Sequence, residues 1–233
     1  MNVYWIEKFK CLVCLLPLYL YSLIPGSALA QQKIIEYDKD FTFREGVYFS
    51  FFDFKNNHPV PTSKILFKSN KDDRDFLKLA LNNSTFHYLD SIGKEEEIKT
   101  NSIWGYCSNG TIYINHGTDF NRMVVIGSFS HFVATIAIRT SADPFGYGHG
   151  YGYDNGGIGM NPYPQYAYST QQFILDFSSG HVLDFTVSNM EFLLQQDDAL
   201  YKEFMALKKR QKRDSIFMYL RRYNTKHPIY FPE

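Results

Sequence analysis

Residues 103–115 read IWGYCSNGTIYIN, and this stretch decides the fold of the chain. Aromatic and β-branched residues lie on both sides of the pair Asn109-Gly110, and such runs are typical of strands. Asparagine and glycine accept the positive φ angles of a tight turn. The sequence therefore predicts an antiparallel hairpin in which residues 103–107 fold back on residues 111–115.

Further segments of the same character lie on both sides of this hairpin. Turn-forming residues such as Ser91-Ile92-Gly93 and Ser178-Ser179-Gly180 separate them. In residues 132–139 apolar side chains recur at every second position, so one face of that strand should meet the core. The other predicted strands are 47–49, 64–68, 86–89, 123–127, 173–177 and 181–187.

Four patterns predict helices. Ser50 can cap a short helix through residue 54, with Asp53 in its first turn. Ser188 opens an S-x-x-E capping pattern that leads into a helix through residue 195. Asp197 begins a third helix, and an apolar stripe after Asp214 indicates a fourth. The predicted fold class is α+β, an antiparallel meander that is curved or even barrel-like, with helices at the C-terminus.

The first thirty residues have the pattern of a secretory signal peptide. Two lysines precede a short apolar run, and Ala28-Leu29-Ala30 places small residues where a signal peptidase cleaves. We expect cleavage after Ala30, which leaves residues 31–233 as a single α+β domain. An uncleaved membrane anchor is the alternative, and membrane association is expected only in that case.

Charge and cysteine content narrow the function classes. The chain is formally neutral, with 24 basic and 24 acidic side chains, and it stays within one charge of neutral without the leader. Such a balance argues against nucleic acid as a partner.

Of three cysteines only Cys107 lies outside the leader. Its apolar and aromatic neighbours favour a buried inert thiol over a nucleophile.

Residues 141–169 form a predicted surface loop rich in glycine and tyrosine. Within it, FGYGHGYGYDNGGIGMNPYPQY (residues 145–166) holds seven of the fifteen glycines. Glycine at this density favours chain without a fixed conformation. Two alternatives stay open: a contact loop whose tyrosines stack on sugar rings or on a partner, and a metal site at His149 and Asp154.

The run KKRQKR at residues 208–213 is the strongest local charge cluster. It suggests nucleic acid or an anionic membrane as a partner. We favour a solvated helical face whose cations complement the carbonyl end of the helix begun at Asp197. Arg210 to Arg213 also match the R-x-K-R pattern of secretory processing proteases, here within a predicted helix.

No motif assigns chemistry to a particular residue. The seven histidines form no H-E-x-x-H or H-x-H pattern. Asp176 and Asp184 flank the last hairpin, where their carboxylates can point to solvent. We name no catalytic residue, cofactor ligand or metal ligand. A hydrolase remains the alternative function, and it would need His116, His131 or His181 within about 3 Å of an Asp or Glu.

Four separated segments resemble a family of secreted proteins from Bacteroidota-type bacteria that is itself uncharacterised. Three of them read EGVYFSFFDFKNNHP, SIWGYCSNGTIYI and FILDFSSGHVLDFT, and the fourth is the tail from Asp197-Asp198 to YNTKHPIYFP. The resemblance implies an exported protein of the periplasm or outer cell envelope and carries over no active-site residue. The working hypothesis is a non-catalytic binding or interaction protein with an unknown envelope partner or small ligand.

Overall fold

The hairpin at Asn109-Gly110 forms as predicted. Both residues have positive φ, 51° and 69°, and they join two antiparallel strands in which Ser108 pairs with Thr111 and Cys107 with Ile112.

The computed structural model describes residues 33–140 and 165–232. The predicted leader, 1–30, and residues 141–164 of the predicted loop, with His149 and Asp154, lie outside this part of the chain.

Seven strands form one antiparallel sheet in the order β10-β9-β8-β7-β6-β5-β2, and β1-β11 and β3-β4 form two small antiparallel pairs. The strands are β1 Ile34–Glu36, β2 Gly46–Tyr48, β3 Thr85–Leu89, β4 Glu95–Lys99, β5 Gly105–Ser108, β6 Thr111–His116, β7 Asp119–Val125, β8 Phe129–Thr140, β9 Gln165–Asp176, β10 Val182–Asp184 and β11 Tyr230–Pro232. The sheet is open, with β10 and β2 at its edges, so the fold is α+β without a closed barrel.

Five α-helices accompany these strands in the described residues. They are α1 Phe51–Lys55, α2 Phe76–Ala80, α3 Val187–Leu194, α4 Asp198–Met205 and α5 Lys209–Lys226. Ser50 caps α1 as predicted, because its hydroxyl accepts from the Asp53 N–H while the Asp53 carboxylate accepts from the Ser50 N–H. None of these helices is long and apolar enough to cross a membrane.

Alternation along the strands gives the sheet two different faces. On one face lies the aromatic core, which includes Cys107, Ile112, Phe132 and Phe231. The neighbouring positions Tyr106 and Tyr113 point to the other face, because successive side chains of a strand alternate.

Two separate groups of residues cover this other face. A first cluster packs α2 and the β3-β4 hairpin against Tyr106. A second cluster packs α3, α4 and α5 against Phe129 and Ile174. A register shift in β7 between Met123 and Val125 turns these two side chains to opposite faces of the sheet. Met123 joins the aromatic core, and Val125 packs against the cluster of α3, α4 and α5.

Some predicted elements differ from those observed. Residues 64–68 are not a strand, since a 3-10 turn at Thr62–Lys64 leads to a single bridge from Ile65 to Tyr88. Helix α2 and strand β4 were not predicted. Strand β9 begins at Gln165, so residues 165–169, assigned to the glycine-tyrosine loop, pair with β8 instead. Pairing over all twelve residues satisfies backbone groups that a loop would leave to water.

Helices α3 and α5 begin at other residues than predicted, whereas α4 begins at Asp198 with Asp197 as its cap, as predicted. Thr186, not Ser188, caps α3, because the chain leaving β10 turns there and the Thr186 hydroxyl accepts from the Asn189 N–H. The basic run lies in the first turns of α5, after the end of α4 at Met205. Its Lys212 is buried, and its ammonium donates to Glu191 of α3 at 2.7 Å. The run is therefore not a uniformly solvated face.

Replacing Gly105 by alanine is expected to destabilise the protein more than replacing Gly110. A Cβ at Gly105 would lie 2.3 Å from the carbonyl oxygen of Tyr113, whereas a Cβ at Gly110 meets nothing within 4 Å. Gly110→Ala then raises only the backbone energy of a left-handed residue, by about 1 kcal/mol. Gly105→Ala must move paired strands, at about 2 kcal/mol or more. Urea unfolding measures both changes, and equal midpoints would contradict this strand register.

Candidate functional site

A cleft of about 420 Å³ lies beside α2, the β5-β6 hairpin and the start of β7. It opens on the same face of the sheet as Tyr106 and Tyr113. Its floor is made by paired strands, and its wall is made by a short helix that buries Phe76 and Leu77 against the sheet. Concave sites of this size, built on regular elements, are where proteins usually bind small ligands.

Three aromatic rings line the cleft. Tyr106 and Tyr113 face each other across β5 and β6, and their rings stack at 4.7 Å with an angle of 8°. Phe120 meets the Tyr106 ring edge to face at 5.3 Å. Tyr106 is buried, while Tyr113 and Phe120 are partly exposed. Tyr106 therefore holds the other two rings in place, and those two can contact a ligand.

Four charged side chains of both signs line the same cleft: Arg74, Asp75, Lys78 and Asp119. All four residues are exposed. Within the described chain, none of them lies within 4.0 Å of an opposite charge, in contrast to Lys212 or Arg222, which are paired. These four groups are thus available to a molecule in the cleft.

Backbone and side-chain contacts fix the turn beside the cleft. The Asn109 N–H donates to the Glu45 carboxylate at 2.7 Å, and the Asn109 amide reaches the carbonyl oxygen of Arg74 at 3.5 Å. The Arg74 backbone is therefore held next to the hairpin turn.

Burial raises the pKa of Tyr106, and the nearby Tyr113, Asp119 and Asp75 raise that pKa further. The hydroxyl of Tyr106 thus stays protonated and can donate as well as accept.

Cys107 is a buried thiol on the opposite face, as predicted. Burial raises its pKa to about 12, with a smaller contribution from Glu45. Its Sγ lies 3.9 Å from the carbonyl oxygen of Phe43. A thiol with such a pKa carries almost no thiolate at neutral pH, so it is not activated as a nucleophile.

The three histidines considered for a hydrolase do not meet a carboxylate. His131 is buried between Phe185 and Phe217, and its Nε2 lies 3.0 Å from Oε1 of Gln172. His116 packs on Phe132 and Phe173 in the aromatic core. His181 is exposed in the turn before β10. In residues 33–140 and 165–232 only His87 and His227 lie within 4.0 Å of an Asp or Glu.

Asp176 and Asp184 were expected to point to solvent, and only Asp184 is exposed. Asp176 is 8% exposed and accepts from the hydroxyl groups of Ser178 and Ser179. Its carboxylate therefore serves the turn between β9 and β10. Asp184 pairs in register with Phe173 of β9, three positions before Asp176.

Among the described residues, the closest histidine-carboxylate pair joins His227 and Asp197, which were not singled out for chemistry. His227 Nε2 lies 2.7 Å from Oδ2 of Asp197, and Lys226 Nζ lies 2.6 Å from the same oxygen. The carboxylate also caps α4 by accepting from the N–H groups of Ala199 and Leu200. Asp197 thus joins the start of α4 to the end of α5, which is a structural role.

We did not predict the cleft from the sequence, because none of its segments taken alone has the pattern of a binding site. Tyr106 and Tyr113 were recognised only as strand residues, and the α2 segment was not recognised as a helix. One signal was present: in a hairpin turning at Asn109-Gly110, Tyr106 and Tyr113 must lie opposite each other on one face. The positions of Arg74 and Lys78 beside them depend on tertiary packing.

Asp197→Asn should lower stability at neutral pH and change its pH dependence. Hydrogen bonds from Lys226 and then His227 hold the pKa of Asp197 well below its usual range. A lowered folded-state pKa stabilises the protein above the unfolded-state value, about 3.9, and this stabilisation is lost as the pH falls toward the folded-state pKa. The excess stability of the wild type over Asp197→Asn should therefore be full at pH 5–7 and narrow below about pH 4.

Urea unfolding between pH 2.5 and pH 7 measures this excess. Asp198→Asn is the matched control, because Asp198 is exposed in the next position of the same helix. It should change stability little at any of these pH values. A wild-type excess that does not depend on pH would contradict the ion-pair account of Asp197.

Comparisons with known proteins place the chain in a family. Neither the curated proteins nor the solved structures contain a significant match. A family model described as a family of unknown function, DUF6563, matches residues 46–227. The matched segment includes every cleft residue named above and the pair of Asp197 with His227. The match covers well over half of the sequence, so the chain belongs to the family DUF6563, a family of unknown function.

Proposed function

We propose that this chain is an exported binding protein of the bacterial cell envelope that holds a small ligand in the cleft beside α2. The observation that carries the proposal is the set of four unpaired charges around three aromatic rings on the floor of the cleft. Exposed charges of both signs that leave each other unpaired are suited to hydrogen bonds with a third molecule. The secretion part of the proposal rests on the leader pattern in residues 1–30.

Binding suits the cleft better than catalysis. The side chains that line it are cations, carboxylates, amides and hydroxyl groups around three rings and two leucines. The histidines considered for hydrolysis lie in other parts of the described chain, and Cys107 is buried on the opposite face. A hydrolase site would combine a nucleophile with a base that a third group orients. In the pair of His227 with Asp197, the carboxylate caps α4, which is a structural role.

Export predicts a mature protein that begins at Gln31. Expressed in a bacterium of the Bacteroidota type, the protein should be recovered from the periplasm or outer envelope without residues 1–30. Ala28→Arg should block cleavage, because the peptidase requires a small residue at this position, whereas Gln32→Ala should leave cleavage unchanged. Mass spectrometry of the N-terminal peptide checks the result. Intact wild-type protein in the cytosol, still carrying Met1, would contradict export.

Ligand binding in the cleft predicts that cleft variants lose a molecule that the wild type retains. Purified protein is incubated with a small-molecule extract of envelopes, separated from unbound material and analysed by mass spectrometry. Wild type should enrich at least one compound, and Tyr113→Ala and Asp119→Asn should reduce that enrichment at least about tenfold, the loss expected for about 1.4 kcal/mol of contact energy.

Tyr168→Ala is the matched control for this experiment, since Tyr168 is a 70% exposed tyrosine on β9. Its enrichment should equal that of the wild type. Asp119→Asn keeps the shape of an exposed side chain, so it separates lost binding from lost folding should Tyr113→Ala unfold. Equal enrichment by the wild type and Asp119→Asn would overturn the proposed site, and so would the absence of any enriched compound together with no binding of defined small-molecule probes.

A further inference from the structure

The charge of the cleft is balanced, and this balance restricts the ligand. Arg74 and Lys78 supply two cations, and Asp75 and Asp119 supply two carboxylates. A phosphate or nucleotide ligand would be repelled by the carboxylates, and phosphate sites normally carry an excess of arginine, lysine and backbone N–H groups. A cationic ligand would meet the opposite difficulty. The lining therefore suits a ligand without net charge.

The lining is also too polar for a lipid or another apolar ligand. Leu79, Leu81 and the aromatic rings supply its apolar part, while charged, amide and hydroxyl side chains make up most of the rest. A ligand that covers such groups must replace the hydrogen bonds that they make with water, or binding costs about 1–3 kcal/mol for each group left without a partner. The ligand must therefore carry many hydrogen-bonding groups.

The polar side chains differ in what they can donate and accept. Arg74 and Lys78 only donate, Asp75 and Asp119 only accept, and the amides of Asn82 and Asn109 do both. A hydroxyl group donates one hydrogen bond and accepts others, so it can bridge a donor and an acceptor of this lining. A ligand with several adjacent hydroxyl groups satisfies the mixed set without carrying charge.

The aromatic rings define the remaining part of the ligand. Tyr113 and Phe120 are partly exposed at the cleft, and the buried Tyr106 fixes both rings. A ring of this kind favours a flat apolar surface against its face. The C–H face of a sugar ring is such a surface, and hydroxyl groups surround that ring at its edge. The rings and the polar side chains thus match two different parts of one molecule.

We infer that the ligand of the cleft beside α2 is a neutral saccharide, packed on Tyr113 and Phe120 with its hydroxyl groups bonded to Arg74, Lys78, Asp75 and Asp119. This inference rests on the proposed function, because it names the chemical class of the ligand for the same site. Free amino acids and peptides could also use charges of both signs. They would depend on those charges far more strongly than a saccharide does.

Isothermal titration calorimetry with purified protein tests the inference. The probes are neutral oligosaccharides of glucose, galactose, mannose, xylose and N-acetylglucosamine, with glycyl peptides and inorganic phosphate as the ionic comparison. We expect at least one oligosaccharide to bind, with an affinity that changes less than about twofold between 50 and 500 mM salt, since screening acts on charged ligands. The ionic probes should not bind in the cleft.

Variants locate the binding. Tyr113→Ala and Asp119→Asn should each weaken saccharide binding at least about tenfold, while Tyr113→Phe should keep most of it because the ring is preserved. Tyr168→Ala and Lys209→Ala are controls at exposed positions of β9 and α5, and both should bind like the wild type. Circular dichroism and urea unfolding verify that each variant folds.

Three outcomes would overturn the inference, and they separate its failure from that of the proposed function. Cleft-dependent binding of a peptide or phosphate would overturn the saccharide class and leave a ligand-binding cleft in place. The same holds if no oligosaccharide binds while envelope extract still supplies a compound that Asp119→Asn loses. If neither the probes nor the extract contains a ligand sensitive to Asp119→Asn, both proposals fail.

Discussion

The pairing of β5 with β6 across the Asn109-Gly110 turn is the constraint on which the rest of the structure depends. It places Cys107 and Ile112 on one face of the sheet, where they join the aromatic core, and Tyr106 and Tyr113 on the other. A shift of β6 against β5 by one residue would turn Tyr113 toward the aromatic core and Ile112 out of it. The register therefore sets both the core and the candidate site.

Both faces of the seven-stranded sheet are covered by parts of the chain that are distant from one another in sequence. Phe43 near the start and Phe231 near the end close the aromatic core, with ring centroids 5.1 Å apart, while β1 pairs with β11. On the other face, Asn224 of α5 donates to the Phe129 carbonyl oxygen and accepts from the Phe129 N–H at 2.9 and 2.8 Å. Cys107 is a free thiol, so packing and hydrogen bonds of this kind, and not a disulfide at Cys107, hold the ends of the domain in place.

Charged side chains have different roles in the two regions that cover the face of the sheet opposite the aromatic core. Around the helices, Lys212 pairs with Glu191, Arg222 with Glu203 and Lys226 with Asp197, so the basic character of α5 serves packing in part. Around the cleft, Arg74, Asp75, Lys78 and Asp119 leave one another unpaired. The same residue types thus stabilise the fold in one region and remain available to a ligand in the other.

Local chemistry determined from sequence alone the α+β class, the hairpin at Asn109-Gly110, the cap at Ser50, the turn at Ser178-Ser179-Gly180 and the buried state of Cys107. The hairpin, the cap and the turn depend on neighbours within a few residues, where propensity and backbone sterics dominate. The α+β class and the burial of Cys107 were indicated by the apolar and aromatic residues of whole segments. Tertiary structure decided the rest: the strand β4 of EEEIK, which forms because it pairs with β3, the burial of Lys212, and the meeting of α2 with β5 and β6. Those features depend on contacts between residues far apart in the chain, and no short pattern encodes such contacts.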